Sequence, residues 1–120
     1  LDQTTIEGES EMNVSEQNRE FVLKRALEAV TMDRNADYGD PEDNFADIAR
    51  LWNAYKLGCG FTRTDVAVMM ILTKIARAVT SPTLEDHWVD IAGYSACGLG
   101  CAEADAFDAG EAWGGDYDES

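Results

Sequence analysis

Arg63-Thr-Asp-Val-Ala-Val-Met-Met-Ile-Leu-Thr-Lys-Ile-Ala-Arg-Ala-Val79 is the stretch whose reading decides the fold. Val66, Val68, Met69, Met70, Ile71, Leu72 and Ile75 leave little of its circumference polar. A strand alternates with period two, and no such alternation is present here. A helix that is apolar nearly all round belongs at the centre of a bundle. Thr62-x-x-Asp65 opens it as a capping box with Asp in place of Glu. The narrow polar arc is basic, carrying Arg63, Lys74 and Arg77.

Reading outward, Ser81-Pro82-Thr83 breaks the chain and starts a fourth helix from about Leu84 to Ala102. Trp88, Ile91, Ala92, Ser95 and Leu99 share its apolar face, and several glycines and alanines keep it thin. Upstream, Gly58 and Gly60 end a helix that begins at Asp40-Pro41-Glu42-Asp43. There Asp caps, Pro takes the first helical position and acids meet the positive end of the helix dipole. Phe45, Ile48, Trp52 and Tyr55, spaced three, four and three apart, form its buried face. The first helix starts at Asn13 or Ser15 and runs to about Met32, with Leu23, Ala26, Leu27 and Val30 as its stripe. The expectation is an all-α four-helix bundle over residues 15–102, with acidic flexible tails at 1–14 and 103–120. Trp52 and Trp88 are expected in the core.

One hundred and twenty residues support one core. The net charge of −15 is concentrated at the ends. Residues 16–102 hold thirteen acids against all nine Lys and Arg, and 103–120 hold seven acids and no base. A surface of that sign disfavours direct binding to a nucleic-acid backbone. The longest apolar run, Val66 to Leu72, is too short to span a bilayer. No basic-then-apolar leader opens the chain, so a cytoplasmic setting is expected. Cys97 and Cys101, one turn apart and with no companion Cys or His cluster, read as small buried thiols rather than a zinc site.

Asp86 and Asp90, four apart on helix 4, put two carboxylates one above the other. Gly93, Cys97 and Cys101 continue that face, so the acids sit at the rim of a small, apolar surface. Oxygen ligands of this kind suit Mg²⁺. The plainer reading is that Lys74, Arg77 or Arg50 neutralises them. Asp43 and Asp47 repeat the spacing on helix 2, where a solvated face opposite Phe45 and Trp52, with a capping role for Asp43, is the stronger explanation. His87, the only histidine, could polarise a phosphate or a water, or lie on the surface. Tyr38 could stack on a base or pack locally in its turn. No phosphate-binding loop, dinucleotide fingerprint or Ser–His–Asp set is present.

Three segments carry a resemblance: Asp37-Tyr-Gly-Asp-Pro-Glu-Asp-Asn-Phe45, Asp65 to Arg77, and Asp86-His-Trp-Val-Asp-Ile-Ala-Gly-Tyr94. Over residues 22–102 the chain resembles a family of small proteins common in phage and prophage genomes. More distantly it is similar to the MazG-like all-α nucleoside triphosphate pyrophosphohydrolases. That likeness implies a Mg²⁺-dependent hydrolase converting (d)NTP to (d)NMP and pyrophosphate. It implies Asp43, Asp47, Asp86 and Asp90 as metal ligands, although the family's pairs are three apart and contain Glu. Lys74, Arg77 and His87 become candidate catalytic groups, and Tyr38, Arg50, Lys74 and Arg77 candidate substrate contacts. The alternatives are a nucleotide-binding protein of the same fold without turnover, or an accessory protein whose acidic tails dock on a basic partner. A homo-oligomer, most simply a dimer, is expected because three partner helices cannot cover helix 3.

Overall fold

The computed structural model describes residues 11–33 and 39–110, and every regular element among them is helical. The helices are α1 (Val14–Glu28), α2 (Pro41–Tyr55), α3 (Arg63–Thr80) and α4 (Glu85–Asp108), with a π-helical turn, Ala29–Asp33, after α1. Helix 1 therefore leaves α geometry before Met32. The expected starts hold closely. Asn13 and Glu16 form a reciprocal capping box, as do Thr62 and Asp65. Pro41 takes the first position of α2, but Asp40 caps with its backbone carbonyl, not its side chain.

The central helix is α4, not α3. It packs most extensively on α3 and also contacts α1 and α2. Small residues allow this. A Cβ on Gly93 would meet Val30 Cγ1 at 3.4 Å, and one on Gly98 would meet Ala67 Cβ at 3.7 Å. One on Gly100 would collide with the Glu42 carboxylate. The three glycines thus face the turn after α1, α3 and α2 in succession. The buried face of α4 is Val89, Gly93, Cys97 and Cys101, spaced by four. Ser95 is exposed and Leu99 is 66% exposed, so the expected Trp88–Leu99 face is displaced around the helix. Bulk was the misleading signal, because close helix approach selects the thin side.

Phe45, Ala49, Val66, Ala67, Cys97 and Cys101 form the core, flanked by Ile48, Trp52, Phe61, Met70 and Tyr94. Trp52 packs edge-on to Phe61 with centroids 5.5 Å apart. Asn53 ties the following loop to α2, its Oδ1 accepting from Phe61 N–H at 2.7 Å and its Nδ2 donating to Phe61 O at 3.0 Å. That loop turns through Gly58 and Gly60, whose φ angles of +89° and +68° suit glycine. Burial pushes the Cys101 thiol up to about 11, with nearby Glu42 adding to it, so it stays protonated.

Several expected core residues lie outside. Leu23, Leu27 and Tyr55 are largely exposed, because α1 packs mainly on α4 and Tyr55 ends its helix. Trp88 is 45% exposed, and its Nε1 donates to Pro82 O at 2.8 Å. Its ring braces the α3–α4 turn and does not fill the interior. Trp88→Ala is therefore expected to cost about 1–2 kcal/mol, below the range for a buried aromatic. A thermal shift matching that of a fully buried side chain would refute the bracing role.

The helical region continues six residues past the expected boundary at 102, to Asp108. Gly110, with φ +81°, donates its N–H to Phe107 O and stops it. Glu103, Asp105 and Asp108 are helix residues, not tail. Residues 1–10 and 111–120 lie outside the described residues. No helix among the described residues is long and apolar enough to cross a membrane.

Candidate functional site

The crossing of α3 and α4 brings one expected pair together. Lys74 Nζ lies 2.8 Å from Asp90 Oδ2, with the Lys74 side chain 21% exposed and that of Asp90 40% exposed. Lys74 reaches Asp90 because it lies on the same side of α3 as buried Ala67 and Ala78, the side turned to α4. Of the candidate partners for the helix-4 acids, Lys74 is the one that binds. Asp86 is exposed one turn before Asp90, and His87 is half-buried between them. Arg77 is exposed in the last turn of α3.

The helix-2 candidates behave differently. Asp43, Asp47 and Arg50 are all exposed, and Asp47 is engaged by Arg50 one turn on. No group of three His, Cys, Asp or Glu among the described residues is gathered closely enough to hold a metal ion. Tyr38 lies outside the described residues.

A second polar cluster joins three helices. The Arg63 guanidinium donates to Glu42 O (3.2 Å), Asp105 Oδ1 (3.0 Å) and Asp108 Oδ2 (2.8 Å). Asp105 Oδ2 accepts from the Thr64 N–H at 3.0 Å and the Thr64 hydroxyl at 2.6 Å. Burial opposes ionisation of Asp105, but the Thr64 bonds and Arg63 outweigh it and hold the carboxyl below the usual range. The bond to Asp108 leads in raising Arg63, against a smaller effect of burial and with Asp105 in support. The pairing itself left no local signal, but the helical extension that carries its acids did: Ala102, Ala104 and Ala106 alternate with acids, and no Gly or Pro precedes Gly110 in that run.

Two open depressions flank Glu42. One, of about 630 Å³, is lined by Glu42, Gly100, Glu103, Ala104, Phe107 and neighbours. The other, of about 260 Å³, lies among Val30, Asp40, Pro41, Glu42, Ala96 and Cys97. Gly100 is roughly 15 Å along α4 from Asp90 at 1.5 Å per residue, so the larger depression does not contain the Lys74–Asp90 pair.

Residues 21–102 match the family described as a domain of unknown function, DUF6378. The chain belongs to that family. The match agrees with the resemblance over 22–102 and stops before Asp105 and Asp108, so both acids of the Arg63 cluster lie beyond the span of the DUF6378 domain. The chain is 51% identical over 74 residues to the Gene 55 protein of Mycobacterium phage L5, covering 62% of this chain and 47% of that protein. It is 41% identical over 78 residues to the Gene 55 protein of Mycobacterium phage D29, covering 65% and 51% respectively. The chain thus spans about half the length of the curated relatives it matches. No solved structure matches it.

Proposed function

We propose that this DUF6378 domain acts on nucleoside triphosphates as a phage-type pyrophosphohydrolase, with its site where Lys74 and Asp90 meet. The observation that supports this reading is the 2.8 Å contact itself. It joins two of the three segments that carry the resemblance to the phage family, and it holds a lysine in the fold at a partly open face. An ammonium so held can neutralise the phosphate oxygens on which charge accumulates as the α-phosphate is attacked. Arg77, three residues on, offers a second cation. His87 can orient a water or donate to a phosphate oxygen.

The donor set does not fit a resident Mg²⁺. Asp86 and Asp90 supply two carboxylates from one helix, Asp90 is occupied by Lys74, and Asp47 is occupied by Arg50. No third acid of the described residues joins them. The chemistry assigned here is therefore that of the side chains, and Mg²⁺ enters as an assay variable. The same observation favours a second reading, in which the triphosphate is bound but not cleaved. Docking of acidic tails on a basic partner has less support from residues 103–108, since Asp105 and Asp108 are held by Arg63.

The test is pyrophosphate release and equilibrium binding across NTPs and dNTPs, with and without Mg²⁺. Lys74→Met should lower kcat/KM by about 100-fold or more if the ammonium stabilises developing charge. Asp90→Asn should lose comparable activity while costing only about 1 kcal/mol of stability, because a pair this exposed contributes little. Tight binding without turnover selects the second reading. Absence of both binding and turnover rejects both.

A further inference from the structure

The outer side of α3 exposes more large apolar surface than any other helix face described. Val68 is 47%, Leu72 57%, Ile75 44% and Val79 78% exposed, with Met69 at 39%. Val68, Leu72, Ile75 and Val79 are spaced four, three and four apart, on a stripe turned away from the buried Val66 and lying beside the Ala67–Ala78 side that meets α4. This is the spacing of a heptad seam, by which one helix lies along another. Apolar stripes of this kind mark interaction surfaces. The seam is also free of charge in a chain of net charge −15. From Val68 to Thr80 only Lys74 and Arg77 are ionised, and Lys74 is turned to Asp90 on α4.

The order of residues suits a second copy of this chain as the occupant. About a midpoint between Thr73 and Lys74, Val68 mirrors Val79 and Leu72 mirrors Ile75. An antiparallel second copy of α3 therefore meets Val with Val at both ends and Leu with Ile in the middle. Such self-complementarity is what a twofold, isologous contact requires. We propose that the chain dimerises through α3, antiparallel, with the twofold axis crossing between Leu72 and Ile75. Met69 and Ala76, exposed along one flank, widen the seam.

Light scattering coupled to gel filtration at micromolar concentration should give the mass of a dimer. Leu72→Glu places unpaired carboxylates beside the axis and should weaken the dimer on the order of 100-fold or more. Its circular dichroism should be unchanged, since Leu72 is already exposed within one chain. Leu51→Glu, on an exposed apolar position of α2, should leave the dimer intact. In a Cys59→Ser background, Val68→Cys mixed with Val79→Cys should form a disulfide. Val68→Cys alone should not, because its twofold mate lies roughly 16 Å away along the helix axis, beyond disulfide reach. A monomeric wild type overturns the proposal. So does a dimer that survives Leu72→Glu but not Leu51→Glu, or self-cross-linking of Val68→Cys, which requires parallel pairing.

Discussion

A chain ending at Ala102 should unfold some 10–20 °C below one ending at Gly110, a loss of about 2–3 kcal/mol for a domain of this size. The cause is not lost apolar surface but the removal of Asp105 and Asp108. Without them Arg63 keeps only the Glu42 carbonyl, and the Thr64 N–H and hydroxyl lose their shared acceptor. Arg63 is 20% exposed and Asp105 23%, so the penalty falls below the 3–5 kcal/mol of a fully buried pair but well above that of a surface one. Asp105→Ala in the longer chain should reproduce most of the loss. The pH dependence has a definite sign. The folded Asp105 carboxyl lies below its ordinary value, so its contribution is complete above pH ~4 and fades as pH falls through the lower, folded value. Wild type and Asp105→Ala should therefore converge in stability in acid. Equal melting temperatures for the two chain lengths at neutral pH would show that Arg63 does not bind the helices together.

Phe45→Ala should cost about 3–5 kcal/mol, the largest effect expected of a single substitution. Phe45 is wholly buried and touches Tyr94 of α4, ring centroids 6.2 Å apart. It shares the core with Val66 of α3 and Cys101 of α4, so the void would open where α2, α3 and α4 meet. The interior holds few bulky side chains, and Phe45, Val66 and Cys101 are the largest that are fully buried. Little is available to collapse into the space. Urea titration at neutral pH provides the measurement, and a midpoint close to that of Trp88→Ala would show that the site refills.

Local rules were legible because their partners are neighbours in sequence. The Thr62–Asp65 and Asn13–Glu16 boxes each act across three residues, and Pro41 announces α2 by its missing N–H. The helical face of α2 was readable at Phe45 and failed at Tyr55, where nothing beyond the helix end packs against it. The central place of α4 was hidden because its buried face, Val89, Gly93, Cys97 and Cys101, is built of small side chains and not of bulky ones. The Lys74–Asp90 pair was foreseen only as one alternative among three cations. The Arg63 cluster could not be foreseen, since its acids lie 42 and 45 residues away and helix periodicity says nothing about such pairs. The acidity of 103–108 also suggested solvent, whereas two of those acids are held by one guanidinium.

That separation has a consequence during synthesis. At about 5–20 residues per second, the ribosome adds Asp105 roughly 2–8 s after Arg63. Within that interval α3 is completed before α4, the helix that all three others contact, has been made. The inner face of α3 waits for α4 while its outer seam is also bare. The nascent chain then presents apolar surface that the finished domain covers, and such transient exposure makes a folding chain prone to associate. Until α4 is complete, α2 alone covers part of the inner side of α3, and its outer seam stays bare throughout.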